Sequence, residues 1–420
     1  MSRVLHVLSQ RPSLTGSGIT LDALVRHGNA SGWDQRAAVG VPGDDPHPRV
    51  GDLDASRIHP LVFGRGELDF PVPGMSDVMP YPSTRFSAMT ESQLASYRSQ
   101  WSGHLLELIE QHRPQLIHSH HLWIVTSLLK NLAPEIPTVA HCHATGLRQM
   151  ELCPRLAPAV RRGLEKIDRF VVLHRGDAER VAAELQLSCD RVQVIGAGYR
   201  EDLFHARGRP RDLPPRLLYI GKYSAAKGLP SLLDAFQGLQ DHSPEVELHI
   251  AGTGSGAEAE LLRQRMSSLA PSVVLHGQLS QEELASLMRR CTVCVLPSFY
   301  EGLPLVLVEA LACGCRLVST ALPGVIEQLA PHLGDALVTV PLPHMKDIDT
   351  PDPAGLPSFA TRLQAALVHS LMQPPIGDPS TALPGALEPM TWGAVFRRVE
   401  AVWRELLGPQ EPVPQSPMSR

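Results

Sequence analysis

Twice along this chain, short runs of apolar, β-branched residues alternate with longer stretches of helical period, and that alternation restricts the fold more than any other feature. A chain that leaves one buried strand through a helix and returns to another builds a parallel sheet covered on both faces. The first series predicts strands at 4–8, 116–118, 138–141, 170–173 and 192–195, and the second at 217–220, 246–251, 273–276, 293–296 and 316–319. Between them GRPRDLPPR, at 208–216, gathers Pro and Arg with little to bury and reads as a linker. The expected class is α/β, with Rossmann-like doubly wound domains at 1–207 and 217–387, and 420 residues are enough for two full cores. Residues 41–92, rich in Pro, Gly, Asp and Ser and without clear periodicity, are expected to be an irregular insertion of the functional kind. Trp392, Val395, Phe396, Val399, Trp403 and Leu406 share one helical face after a Thr391 cap, so a docked amphipathic helix is expected at 388–408. The run PQEPVPQSPMSR at 409–420 reads as a disordered tail.

With 38 basic against 43 acidic side chains the formal charge is −5, which provides no large cationic surface, so nucleic acid is not an expected partner. Seven Cys without framework spacing fit a reducing compartment. No apolar run reaches the ~18 residues of a membrane helix, and 1–10 lacks a charged head followed by an apolar core. The expected location is the cytoplasm.

Two segments carry chemistry. In VCVLPSFYEGLPLVLVEALACGCRLVST, at 293–320, a strand, turn, helix and strand follow one another, and every side chain from Leu305 to Cys313 is apolar or small except Glu309. A lone carboxylate on such a helix must meet a partner, a ligand or a cleft, because burying it unpaired costs several kcal/mol or shifts its pKa. Glu301 stands eight residues earlier in the feeding turn, at the carboxyl end of a strand, the edge where open α/β sheets bind ligands. In LLYIGKYSAAKG, at 217–228, a strand leaves through Gly221 and Lys222, with Lys227 and Gly228 opening the next helical pattern. Two ammonium groups beside loop amides suit a diphosphate.

Together these segments resemble the nucleotide-sugar half of a retaining glycosyltransferase of the GT-B fold, family 4 in particular. The family's Glu, seven residues, Glu signature is matched by Glu301 and Glu309 in EGLPLVLVEALACG, and its basic pair by Lys222 and Lys227, although the first position is commonly Arg. The resemblance implies two facing domains with a cleft between them and a final helix crossing back to the first. It implies transfer of a sugar from a nucleotide-diphosphate donor, a UDP- or GDP-sugar, with no cofactor and no required metal. On that pattern Glu309 holds the ribose hydroxyls, Glu301 with Gly302 and Leu303 the donor sugar, and Lys222 and Lys227, beside Gly221, the pyrophosphate. Gly16 and Gly18, in LTGSGITLDAL, open a helix after the first strand and would approach the donor phosphates. His143 would sit by the reacting carbon, with Gly252 in a nucleobase-side loop. His120 reads as an acceptor-side or a core residue, and Asp77, Tyr81, Arg85 and Arg148, on irregular polar loops, are acceptor-binding candidates. The acceptor is a small molecule, a glycan or a lipid-linked group, and weak peripheral membrane contact and oligomeric state stay open.

Other chemistries fit less well. The histidines of IHSHHLW and AHCHATG lack a carboxylate or Cys at a recognised zinc spacing. The pairs Asp52 with Asp54 and Asp347 with Asp349 sit among Gly and Pro as solvated loop carboxylates, and Cys291 and Cys294 read as buried structural thiols. Gly252, Gly254 and Ala257 satisfy a dinucleotide pattern, but the acidic residue expected about 20 positions later is missing. An NAD-dependent oxidoreductase and a catalytically silent nucleotide-sugar binder are therefore the alternatives.

Overall fold

In the first unit seven strands pair in parallel: β1 (Arg3–Leu8), β2 (Asp34–Pro42), β3 (Ile58–Phe63), β4 (Leu116–His120), β5 (Thr138–His141), β6 (Arg169–Val172) and β7 (Val192–Val194). Their order is β3-β2-β1-β4-β5-β6-β7, so the winding reverses between β1 and β4. This computed structural model describes residues 2–408 apart from 13–14, 77–78, 80, 144, 302–303 and 348. The candidates Asp77, Gly302 and Leu303 and the expected tail at 409–420 lie outside the described residues.

The second unit repeats the plan with β8 (Arg216–Ile220), β9 (Glu247–Ala251), β10 (Val273–Gly277), β11 (Val293–Leu296), β12 (Arg316–Thr320) and β13 (Leu337–Val340), ordered β10-β9-β8-β11-β12-β13. Its strands read as continuous apolar runs because both faces are covered. Leu217, Tyr219, Val293 and Val295 enter one core layer, while Leu218, Cys294, Leu296 and Leu317 enter the other. Cys291, which precedes β11, joins Cys294 in that second layer, and the cysteines are free thiols.

Three strands are additions to the expected set. β2 begins with Asp34, Gln35 and Arg36, and its buried Gln35 is satisfied by side-chain bonds that no pattern reveals. β3 lies inside the segment expected to be irregular; it is an edge strand, the one place where its Pro60 is tolerated. β13 is the opposite edge of the second sheet.

The division of the chain also differs from the expected one. Of the described residues, 2–196 and 392–408 form the first unit and 197–391 the second, so the run at 208–216 belongs inside the second unit instead of joining the two. Arg209 explains why. Its guanidinium donates to the carbonyls of Met288, Arg289, Cys291 and Cys313 at 2.7–3.2 Å. These include carbonyls at the carboxyl ends of helices Gln281–Met288 and Leu305–Ala312, which have no partner within their own helices. The helix Trp392–Leu407 packs in the first unit, where Trp392, Val395, Phe396, Val399, Val402 and Trp403 meet Val4, Leu116, Val139 and Val171 under the sheet.

Gly228 is one of two tight backbone crossings on the ligand-binding edge of the second sheet. It has φ 68°, and a Cβ there would stand 2.0 Å from the Pro297 carbonyl oxygen. Gly228→Ala is therefore expected to destabilise the protein by about 2–4 kcal/mol. Gly277→Ala, at the same φ of 68° with open space around it, is expected to cost about 1 kcal/mol. Urea unfolding of both variants checks this; equal losses would show that the Pro297 crossing is immaterial.

Candidate functional site

In each sheet the carboxyl ends of the two strands flanking the reversal are where neighbouring connections part and leave a crevice. In the second unit those strands are β8 and β11. The turns that follow them cross at Gly228 and Pro297 and are tied by Phe299 N donating to the Ala226 carbonyl at 3.0 Å. The crossing brings Lys227 Nζ to 2.7 Å from Glu301 Oε1, an oxygen that also accepts from Ser298 Oγ at 2.9 Å. Both charged side chains keep partial exposure, 28% for Lys227 and 22% for Glu301, so the pair is open to a ligand. Two sequence-designated residues 74 positions apart thus share one site. Ser298 escaped notice because nothing in its spacing distinguishes it from other turn serines.

Glu309 lies in the helix Leu305–Ala312, the next element after that turn. Burial alone raises its carboxyl to about 7, far above the usual carboxylate range. Lys222 stands two residues beyond β8 and is exposed, while its carbonyl accepts from the Tyr219 hydroxyl at 2.7 Å. Gly221 and Gly252 stand at the ends of adjacent strands, and a Cβ on Gly252 (φ 131°) would fall 2.0 Å from the Gly221 carbonyl oxygen. The glycine that the dinucleotide pattern singled out thus has a packing reason.

In the first unit β1 leads to helix Gly16–Ala30, whose first turn is capped by Thr15 Oγ1 accepting from Gly18 N at 3.2 Å. Gly16 faces open space, whereas a Cβ on Gly18 would meet the Pro12 carbonyl oxygen. Buried Gln10 organises this edge: its amide nitrogen donates to Ser17 Oγ at 2.8 Å, and its oxygen accepts from Met75 N at 3.1 Å. It too was missed, because a single Gln after a strand carries no motif.

The other half of the same edge is a stack of imidazoles. His120 from β4 and His141 from β5 are stacked 5.4 Å apart, and His141 and His143 are stacked at 4.3 Å and 10°. His120 Nδ1 is 3.1 Å from His143 Nε2, and His118 Nε2 is 3.3 Å from His141 Nδ1. Desolvation pushes His118, His120, His121 and His141 well below the usual imidazole range and His143 down to about 3, so the rings are neutral. His143 is partly exposed but His120 only 1%, so of these two His143 is the one a ligand can reach, and His120 is a core residue. Nitrogens of His118, His120 and His141 lie within 4.8 Å of one another, near enough for a shared ion. The Trp403 indole, however, donates to His118 Nδ1 at 3.0 Å. The proton of His118 then sits on the Nε2 that faces His141, so the trio as bonded does not aim three lone pairs at one point.

The acceptor candidates are spread more widely. Arg85 and Arg148 are exposed. Tyr81, expected on a polar loop, is buried in the first unit's core with the Arg11 guanidinium 5.8 Å from its ring centre, and burial pushes its phenol up to about 12. Asp52 accepts from Asn29 Nδ2 at 2.6 Å. Among the described residues no helix is long and apolar enough to cross a membrane.

Two family models match: the glycosyl transferase 4-like domain over residues 15–198 and glycosyl transferases group 1 over 214–342. Glycogen synthase of Mycobacterium tuberculosis is 27% identical over 228 residues, which are 51% of this chain and 54% of that protein. The chain thus spans about half the length of that relative. Phosphatidyl-myo-inositol mannosyltransferase of the same organism is 26% identical over 357 residues, 83% of this chain and 85% of that protein. Among solved structures, sucrose-phosphate synthase from Thermosynechococcus elongatus superposes with a TM-score of 0.63 at 18% identity, covering 97% of this chain and 99% of that one. Anabaena HepE in complex with UDP and glucose gives 0.59 at 16%, covering 96% and 99%. The chain belongs to the family 4 glycosyltransferases and has their two-domain, Rossmann-like GT-B fold.

Proposed function

We propose that this protein transfers a sugar from a nucleotide-diphosphate donor to an acceptor hydroxyl with retention of anomeric configuration. The observation that carries the reading is the partly exposed Lys227–Glu301 pair at the strand reversal of the second sheet. A diphosphate arriving there competes for the Lys227 ammonium and frees the Glu301 carboxylate to accept from sugar hydroxyls. Lys222, one turn away in sequence, adds a second ammonium. Glu309 accepts from the two ribose hydroxyls, which replace the water its burial removed. The bond between the sugar carbon and the phosphate oxygen breaks as the new bond to the acceptor oxygen forms. The departing diphosphate, stabilised by Lys222 and Lys227, takes the acceptor proton. His143 contributes a neutral hydrogen bond near the reacting carbon, since burial keeps it uncharged.

A solved neighbour that holds UDP and glucose supports a uridine donor carrying a hexose. The mannosyltransferase relative, named for a phosphatidyl-inositol, and relatives named for D-inositol 3-phosphate support a polyol or glycan acceptor, free or lipid-linked. We assign the unit formed by 2–196 and 392–408 to the acceptor and the unit at 197–391 to the donor, with Arg85 and Arg148 as acceptor contacts.

Glu309→Ala and Lys227→Ala are each expected to abolish transfer while the far-ultraviolet spectrum and cooperative unfolding persist; normal turnover by either purified variant overturns that assignment. A thermal-shift screen of nucleotide sugars should pick out the donor by an increased Tm. Arg85→Ala with Arg148→Ala is expected to raise the acceptor KM and leave donor affinity unchanged, and a fall in donor binding would contradict this division of labour.

Glu309 also implies a pH signature. Its folded pKa is raised from 4.5 to about 7, so the native state keeps a proton that the unfolded chain releases. Its contribution to ligand-free stability is full below pH 4.5 and is lost as pH rises to about 7, by an amount on the order of 3 kcal/mol. Donor affinity runs the other way, because the hydroxyls select the carboxylate: it increases with pH up to about 7 and then levels. Calorimetry in buffers of different ionisation enthalpy should detect proton release on donor binding at pH 6, and Glu309→Gln should remove it.

A further inference from the structure

Trp403, on the helix Trp392–Leu407, is fully buried, and its indole N–H donates to His118 Nδ1 at 3.0 Å. An indole nitrogen donates and never accepts, so His118 Nδ1 carries no proton. The ring is neutral, which places its one proton on Nε2, 3.3 Å from His141 Nδ1. His141 Nδ1 must then accept, and its own proton sits on Nε2, a buried atom without a hydrogen-bond partner among the described residues, a cost that the indole donor imposes on this pair. One donor-only group beneath the sheet thereby dictates the tautomers of two successive histidines. The second of these lies flat against His143 at 4.3 Å.

The neighbouring pair has no donor-only end. His120 Nδ1 meets His143 Nε2 at 3.1 Å, and His120 Nε2 is buried without a partner among the described residues. A buried N–H without an acceptor is rarer and costlier than a bare acceptor nitrogen. The His120 proton is thus best placed on Nδ1 and donated to His143, whose own proton is then on Nδ1. At the far end of the cluster His6 donates through Nε2 to Gln35 Oε1 at 2.9 Å. That direction is secured because the Gln35 amide nitrogen is spent on the Val25 carbonyl and Asn29 Oδ1.

We propose that Trp403 is a positioning residue for His143: its N–H sets the protonation pattern of His118 and His141, and the oriented His141 ring stacks behind His143, whose Nδ1–H, fixed by the bond from His120, is the donor offered to the substrate. The catalytic part of this inference rests on the reading of His143 as the sugar-contacting histidine; the tautomer relay does not. The relay also accounts for a Trp on the last helix facing a row of histidines, where a Leu would fill the space. It makes the docking of that helix part of the site's electrostatics. A polarised, aligned ring dipole behind His143 helps only if it keeps one orientation. Without the indole N–H, His118 can carry its proton on either nitrogen, and the pair becomes a mixture.

The test uses Trp403→Phe, which keeps an aromatic ring and removes only the donor. In imidazole ¹⁵N–¹H spectra of the full chain, His118 and His141 are each expected as single Nε2–H tautomers, and in Trp403→Phe at least His118 becomes mixed. Turnover is expected to fall about fivefold with donor KM unchanged, and the same substitution in a His141→Phe background is expected to cost nothing further. Unchanged tautomers in Trp403→Phe, or an equal loss of kcat in the His141→Phe background, overturn the proposal. So does a wild-type spectrum with His118 protonated on Nδ1, which needs no variant to fold. Visible d–d bands on titrating the wild type with cobalt(II), abolished by His118→Gln, would also overturn it, since a metal needs the lone pair that the relay occupies. Full activity of His143→Ala alongside the expected tautomers would sink the reading of His143 and leave the relay standing.

Discussion

The ion pair between Lys227 and Glu301 depends on two turns being allowed to touch. The turns come from β8 and β11, the strands on either side of the winding reversal, and they cross where Gly228 passes the Pro297 carbonyl. A side chain on Gly228 would hold them apart and take the ammonium away from the carboxylate. The sheet supplies the edge, the glycine supplies the approach, and the charges follow. Ser298, hydrogen-bonded to the same oxygen of Glu301, keeps the carboxylate in place while leaving its other oxygen for a ligand.

The two sheets solve the same problem with opposite chemistry. In the second, the reversal is lined by charge, and the carboxyl of Glu309 is kept near its neutral form by burial. In the first, it is lined by imidazoles that are uncharged because they are desolvated and crowded by one another. Neutral rings can stack at 4.3 Å where imidazolium ions would repel. Their hydrogen bonds become directional only because Trp403 terminates one chain and Gln35 another. A helix from the far end of the sequence thus acts on the chemistry of strands formed at its beginning.

Several features were readable in advance because they depend on local rules. Alternating apolar and helical runs led to β1 and to β4 through β12, because short apolar, β-branched runs between helical stretches stand out in composition. Glu309 was conspicuous as the single charge on an apolar helix, and its raised pKa is the electrostatic form of the same fact. The edge strand β3 was hidden because an edge tolerates Pro60 and partial exposure, so its pattern resembles a loop, whereas β13 was passed over although its run LVTV has the composition of a strand. The run at 208–216 misled because Arg209 looks solvated until the helix ends it binds are in place.

The sequence by itself determined the class of fold, the two-sheet plan and the family, because burial periodicity and the Glu301–Glu309 spacing are properties of neighbouring residues. Only the tertiary structure decided that Lys227 meets Glu301, that His120 is sealed while His143 is partly open, and that Trp403 reaches His118 across 285 positions. Those outcomes depend on which strands lie side by side and how closely their turns pass. Distances of a few ångströms between remote segments follow from packing and leave no trace in local order.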